Sequence, residues 1–207
     1  MSTGFIAISA LSALIYGAFF CQRGPSALRS VLKTAGVALL ACAAALADAP
    51  ALLVLGLGLS AVGDMALSRD GDCAFLIGLG SFALAHLAYI LLFAALATGW
   101  PAILPGVVLI AYAISSEVWL APHTGEMRSA VRLYVVLITG MGLSALALPA
   151  AMALALIGAG AFMASDTLLA IQLFRLPPGS RWHIPIARAL WALYYAAQLL
   201  ILWAFIG

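Results

Sequence analysis

Long apolar stretches alternate with short polar breaks from one end of the chain to the other. Each stretch is long enough, as a helix, to cross or nearly cross a hydrocarbon core of about 30 Å. The breaks carry glycine and proline, which interrupt helices. The pattern predicts eight helices, at about residues 5–21, 32–47, 51–67, 74–97, 102–120, 132–148, 150–174 and 185–206.

Composition places this pattern in a membrane. The 207 residues are 66% hydrophobic and only 8% charged, and their mean hydropathy is +1.19. So few charges do not cover the surface of a water-soluble domain. Barrel strands would alternate apolar and polar residues, which this chain does not do. We therefore expect an all-α, polytopic membrane bundle in which residues 1–207 form a single eight-helix transmembrane domain.

Basic residues mark one end of the predicted bundle. By the positive-inside rule, the loops that hold them face the cytoplasm, so both termini are predicted to face outward. The abundance of Ala, Leu and Gly suggests a bacterial plasma membrane, and a net charge of +2 gives no indication of nucleic-acid binding. All nine basic residues lie in or beside the first, third, fifth and seventh loops: Arg23, Arg29, Lys33, Arg69, Arg128, Arg132, Arg175, Arg181 and Arg188.

Two aspartates interrupt the predicted membrane helices, Asp64 in the third and Asp166 in the seventh. A charged side chain at a helix centre costs about 2.5–3.5 kcal/mol on insertion scales, so such residues are usually functional. At 1.5 Å per residue, Asp64 lies roughly 7–8 Å from the cytoplasmic end and Asp166 roughly 13 Å. Because the two helices run in the same direction, we expect both carboxyls to enter the bundle from one side and to act together.

Further polar side chains are expected near these aspartates. Lys33, Glu117, Tyr134 and Arg188 lie near the cytoplasmic ends of their helices, and His86 and Gln198 lie deeper. Two helical stripes contain some of them. We predict a polar cavity open to the cytoplasm, although packing seams with interhelical hydrogen bonds are an alternative. One stripe is Phe75, Gly78, Phe82, His86 and Tyr89, and the other is Arg188, Trp191, Tyr195 and Gln198.

A pair of buried carboxyls can divide into a proton donor and a charged partner. This arrangement suits a reaction that passes through a cationic, oxocarbenium-like state. No serine lies in a G-x-S-x-G motif, and the three histidines and three cysteines lack metal-site spacing, so no metal or other cofactor is expected. A structural alternative is that Asp64 caps its helix or pairs with Lys33 or Arg69, and that Asp166 pairs with Arg188.

The sequence resembles the YhhN family of membrane proteins, which includes the animal lysoplasmalogenases. The resemblance runs over nearly the whole chain, in the order and spacing of several motifs. They are Lys33, GDMAL at 63–67, FLIGLGSFALAHLAY at 75–89, Tyr134, GAFMASDTLLAIQLF at 160–174 and YYAAQLLI at 194–201.

The resemblance implies hydrolysis of the vinyl ether bond of lysoplasmalogens, giving a fatty aldehyde and a glycerophospho-ethanolamine or -choline. Asp64 and Asp166 would then be catalytic, and the lysophospholipid would enter from the bilayer. We expect Lys33 and Arg188 to hold the phosphate. The expected pocket residues are His86, Tyr89, Glu117, Tyr134, Tyr195 and Gln198. Either aspartate can be the acid, and greater depth favours Asp166.

Three other functions fit the pattern. A proton-coupled transporter would use Asp64, Asp166 and Glu117 as a relay, although no span is visibly broken near its middle. A metal-dependent membrane hydrolase would lose activity with a chelator. A non-enzymatic lipid-binding protein would tolerate replacement of both aspartates by asparagine.

Overall fold

Eight helices make up the computed structural model, which describes residues 2–207. No strand occurs among these residues. Each predicted segment corresponds to one helix, so the all-α class and the eight helices are confirmed. The helices are α1 (Ser2–Ile15, continued by a π-helical turn at Tyr16–Phe20), α2 (Ala27–Leu46), α3 (Ala51–Leu67), α4 (Asp72–Leu96), α5 (Ile103–Trp119), α6 (Arg128–Ala145), α7 (Ala153–Phe174) and α8 (His183–Ile206).

The start of α2 differs most from the sequence-based boundary, since the helix begins five residues earlier than predicted. The reason is a cap: Ser26 has extended backbone, and its Oγ accepts a hydrogen bond from the Arg29 amide at 3.2 Å. Arg29 and Lys33 therefore lie inside α2, one turn apart on the same side of the helix. Both side chains are thereby directed toward the end of α3.

The helices pack in sequence order over much of the bundle. The closest pairs are α7 with α8 and α3 with α4, and α2 packs between α1 and α3. Helix α4 also packs against α6, while α5 lies at the edge, mainly against α6. This arrangement brings the ends of α2, α3, α4, α7 and α8 around a common space at the end of the bundle that carries the basic loops.

Six of the helical segments are long and apolar enough to cross a membrane. Among the described helices, α3 is apolar but has only 17 residues, and α6 carries Arg128 and Arg132 in its first turns. The chain is an integral membrane protein of helical type. A count of eight crossings and an outward position of both termini stay predictions.

The tight contact between α7 and α8 gives a stability prediction. A Cβ at Gly158 would lie 2.9 Å from the Ala197 carbonyl oxygen and 2.7 Å from Ile201 Cγ1, whereas nothing lies within 4 Å of one at Gly160. We expect Gly158→Ala to destabilise the bundle by about 1–3 kcal/mol, as overpacking does. Gly160→Ala, on the same helix, is the matched control and should not lower the melting temperature in detergent. Equal melting temperatures for the two variants would contradict the contact.

Candidate functional site

Asp64 lies in the last turn of α3 and is only 1% exposed. Its Oδ1 is 3.3 Å from the Lys33 Nζ, and its Oδ2 accepts a hydrogen bond from the Tyr194 hydroxyl at 2.7 Å. The pairing with Lys33 is the one that the structural alternative anticipated. The carboxylate thus holds the ammonium of α2 and the phenol of α8 at a single point.

Asp166 lies about two turns from the end of α7 and has a different set of partners. Its Oδ2 accepts a hydrogen bond from the Tyr134 hydroxyl at 2.5 Å. The Nε2 atom of His86 is 3.8 Å from the same oxygen, which is too far for a hydrogen bond. The His86 ring stands edge-on to Tyr134, with centroids 5.2 Å apart. Asp166 therefore has one firm partner, and it does not pair with Arg188, as the structural alternative had supposed.

The two aspartates belong to separate groups. Among residues 2–207, no hydrogen bond or ion pair joins them. Phe162 lies between the groups, with its ring centroid 4.7 Å from that of His86 and 5.4 Å from that of Tyr194. The geometry therefore gives no support to a proton shared directly between the two carboxyls.

A cavity of about 490 Å³ opens at the basic end of the bundle. Its polar lining includes three cationic side chains, Arg29, Lys33 and Arg69, and the carboxylates of Asp70 and Asp72. We call it the basic cavity. Cationic groups that converge on one space are suited to an anion such as a phosphate.

A narrower space of about 80 Å³ lies next to it, between α4, α5, α6 and α7. We call it the apolar cleft. Among the described residues that line it, Asp166 is the only charged one, and Tyr134 lies beside it. The side chains that line both spaces, and so form the junction between them, are Leu67, Phe75, Leu169, Leu173 and Phe174.

The accessibility of the two aspartates reverses the order expected from their depth. Asp166 lies further along its helix from the basic end, yet its side chain is 13% exposed, compared with 1% for Asp64. Asp166 lines the apolar cleft, whereas Asp64 lines neither space and is covered by Lys33 and Tyr194. Of these two aspartates, only Asp166 is therefore placed to contact a molecule in one of the two spaces.

Several predicted site residues lie away from both spaces. Glu117 is exposed and forms an ion pair with Arg132 at 2.5 Å, and Arg188 is exposed and lines neither space. Tyr195 shares a hydrogen bond of 2.8 Å with Ser9 on α1. The structure does not bring these residues to the two aspartates.

Tyr89 and Gln198 form a buried pair deeper in the bundle. The Tyr89 hydroxyl donates to the Gln198 Oε1 at 2.7 Å, and both side chains are fully buried. Neither residue lines the basic cavity or the apolar cleft. Their bond joins α4 to α8, which matches the packing seam that we had kept as an alternative.

Sequence reasoning did not place Tyr194, Arg29 or Arg69 in the substrate site, although it named Arg69 as a possible partner of Asp64. Tyr194 lies three residues after Trp191 and four before Gln198, so it fits the same helical face as well as its neighbour Tyr195 does. Arg29 was predicted to precede the second helix, and its position inside α2 follows only from the earlier start of that helix. No group of three His, Cys, Asp or Glu side chains within the described chain is arranged to hold a metal ion.

Comparison with known proteins identifies the family of this chain. The chain is 33% identical over 156 residues to proteins named lysoplasmalogenase from Mycobacterium bovis and from Mycobacterium tuberculosis. Each match covers 72% of this chain and 58% of the relative, so the chain spans less than two thirds of these relatives' length. No solved structure matches. The model of the YhhN family matches residues 28–205, from α2 to α8, and the chain therefore belongs to the YhhN family.

Proposed function

We propose that the chain is a membrane hydrolase that cleaves the vinyl ether bond of lysoplasmalogens. The observation that carries the proposal is the junction of a basic cavity with an apolar cleft that has one carboxyl, Asp166, in its wall. A lysoplasmalogen has a phosphate head, one apolar chain and a reactive bond where the two meet. Membership of the YhhN family and the names of the mycobacterial relatives support the same reaction.

The substrate is placed by its two chemically different ends. Its phosphate lies in the basic cavity against Arg29, Lys33 and Arg69, and not against Arg188, which is exposed and does not line the cavity. Its chain lies in the apolar cleft, whose lining keeps the chain out of water as the bilayer does. By the positive-inside rule, the basic cavity faces the cytoplasm, in what we take to be a bacterial plasma membrane.

In this arrangement Asp166 acts as the general acid. The Tyr134 hydroxyl donates to Oδ2, which leaves Oδ1 to carry the transferable proton. This proton goes to the alkene carbon that is not bonded to the ether oxygen, and an oxocarbenium ion forms at the other alkene carbon. The resulting carboxylate then stabilises the positive charge across the cleft.

Water completes the reaction. It adds to the oxocarbenium carbon while the Asp166 carboxylate takes up its proton, which gives a hemiacetal. The hemiacetal loses its hydroxyl proton as the glycerol oxygen is protonated, the carbon–oxygen bond to glycerol breaks, and the aldehyde is released. His86 is fully buried and lines neither space, but its Nε2 lies 3.8 Å from Asp166 Oδ2. We therefore assign it to positioning the Asp166 carboxyl beside the cleft.

Asp64 has a different role in this proposal. Because it lines neither space, it does not reach the substrate, but it holds the Lys33 ammonium at 3.3 Å and the Tyr194 hydroxyl at 2.7 Å. Lys33 in turn lines the basic cavity. Asp64 is therefore a positioning residue for the phosphate-binding end of the site.

The test is aldehyde release by the purified protein in detergent. Three lysolipids with the same head group would be compared: a vinyl ether, a saturated alkyl ether and an acyl ester. We expect aldehyde from the vinyl ether and no product from the other two, because only the vinyl ether gives an oxocarbenium ion on protonation. Fatty acid from the ester, or no aldehyde from well-folded protein, would contradict the proposal.

Arg29 provides a test of the head-group placement. We expect Arg29→Gln to raise the KM roughly 10–100-fold with a smaller change in kcat, because a hydrogen bond to a charged group contributes about 1.5–3 kcal/mol. The side chain also donates to the Ser68 carbonyl at 2.9 Å, so the melting temperature must be measured in parallel. Arg181→Gln, at an exposed arginine outside both spaces, is the control. An unchanged KM for Arg29→Gln would place the phosphate elsewhere.

A further inference from the structure

The apolar cleft is bounded on its outer side by α5 and α7. Tyr112, Ser116 and Trp119 line it from α5, and Thr167 and Ala170 line it from α7. Helix α5 packs mainly against α6 and has few contacts with α7, and most of its side chains face outward. The boundary between α5 and α7 is therefore a weakly packed side of the bundle, directly beside the cleft.

One hydrogen bond crosses this boundary within the helices. The hydroxyls of Tyr112 and Thr167 lie 2.6 Å apart. Since the Thr167 hydroxyl donates to the Met163 carbonyl at 2.7 Å, its proton is already used and Tyr112 is the donor. Both residues lie seven positions before the ends of their helices, which is roughly 10 Å along the helix axis from the basic end of the bundle.

Two further contacts hold α5 at the basic end. The Arg175 guanidinium, just after α7, contacts the His123 ring beyond α5, with Nη1 2.9 Å from Nδ1. Glu117 pairs with Arg132 on α6. These contacts anchor the end of α5 and leave the Tyr112–Thr167 bond as the closure deeper in the membrane.

We infer that the boundary between α5 and α7 is a lateral portal through which the alkyl chain of the substrate passes from the bilayer into the apolar cleft. The inference rests on the proposed function for the identity of the substrate. A chain that entered through the basic cavity would have to cross a polar space. Exposing the chain to water there would cost about 0.8 kcal/mol of free energy for each CH₂ group. A chain that enters past Thr167 stays among apolar groups and at once meets Asp166, the preceding residue on α7.

The Tyr112–Thr167 bond closes this portal. Both residues lie in the mostly apolar wall of the cleft. A hydrogen bond is stronger in such surroundings than in water, so we expect the bond to stay formed while the portal is empty. Opening separates two hydroxyls and does not disturb the contacts of α5 with α6.

Cross-linking tests the portal. Tyr112→Cys and Thr167→Cys would be combined in a chain whose Cys21, Cys42 and Cys73 are replaced by alanine, and the pair joined with a short bifunctional thiol reagent. Gly106→Cys with Leu143→Cys, which joins α5 to α6, is the matched control, because a Cβ at Gly106 would lie 3.6 Å from Leu143 Cδ2. Two readouts are used in lipid nanodiscs: binding of a saturated alkyl-ether lysophosphocholine, and aldehyde release from its vinyl ether counterpart.

We expect the 112–167 cross-link to reduce binding and aldehyde release at least 10-fold, and the 106–143 cross-link to leave both unchanged. Binding and turnover at the uncross-linked rate would overturn the portal. If binding is blocked by the cross-link although the wild type releases no aldehyde, the portal stands and the proposed reaction fails.

A milder variant checks the same point without cross-linking. Tyr112→Phe keeps the ring and removes the donor, so we expect the alkyl-ether lysolipid to associate roughly 2–10-fold faster. A merely structural role for the bond would leave the association rate unchanged or lower it, and either result counts against the portal.

Discussion

Replacing Asp166 by asparagine is expected to lower the kcat for aldehyde release by roughly 10²–10⁴-fold, the usual contribution of a general acid. Asparagine has nearly the same shape, and its amide oxygen can still accept the hydrogen bond from Tyr134. What it lacks is a transferable proton and, after transfer, the negative charge that stabilises the oxocarbenium ion. The measurement is single-turnover aldehyde release, with the melting temperature of each variant recorded.

Asp48→Asn is the matched control for this substitution. Asp48 is exposed in the turn between α2 and α3, and its φ of +52° is a conformation that asparagine adopts readily. This variant should retain wild-type turnover. An active, folded Asp166→Asn protein would exclude Asp166 as the proton donor.

Breaking the Lys33–Asp64 pair is expected to have the largest effect on stability. Asp64 is 1% exposed and Lys33 is 12% exposed, so Lys33→Met leaves a buried carboxyl without its cation. Loss of one member of a buried pair typically costs about 3–5 kcal/mol. We therefore expect Lys33→Met, and likewise Asp64→Leu, to lower the melting temperature strongly and to reduce turnover.

The double variant separates stability from function. Replacing both members by apolar residues of similar size often restores stability, because no unpaired charge remains. Lys33→Met with Asp64→Leu should thus melt well above either single variant, yet bind substrate weakly, since the ammonium of the basic cavity is gone. A double variant that recovers both stability and the wild-type KM would show that the pair serves only to hold the helices together.

The positions of the helices could be predicted from the sequence because apolar runs and Gly/Pro breaks are local signals. The start of α2 could not, since the hydropathy drops around Arg29 and Lys33 although the Ser26 cap begins the helix before them. Local signals also suggested which residue types matter, and Asp64, Asp166, Lys33, His86 and Tyr134 do lie in the two polar groups. They did not reveal how those residues are divided.

That division depends on how the helices rotate and pair, which one sequence does not encode in a local pattern. Tyr194 and Tyr195 are adjacent and about 100° apart around α8, so both fit a stripe with Gln198 at the resolution of helical spacing. Tyr194 faces Asp64, and Tyr195 faces Ser9. Phe162 likewise looks like an ordinary core residue in the sequence, although it lies between the groups of the two aspartates.

The most direct test of the central claim is hydrolysis of a lysoplasmenyl lipid in D₂O, with the aldehyde reduced to the alcohol as it forms and then analysed by mass spectrometry. Protonation of the alkene carbon by Asp166 predicts one deuterium on the carbon next to the former carbonyl. Unlabelled aldehyde incubated with the protein and trapped in the same way controls for exchange. Aldehyde without deuterium at that carbon would contradict a mechanism that begins with proton transfer to the vinyl ether.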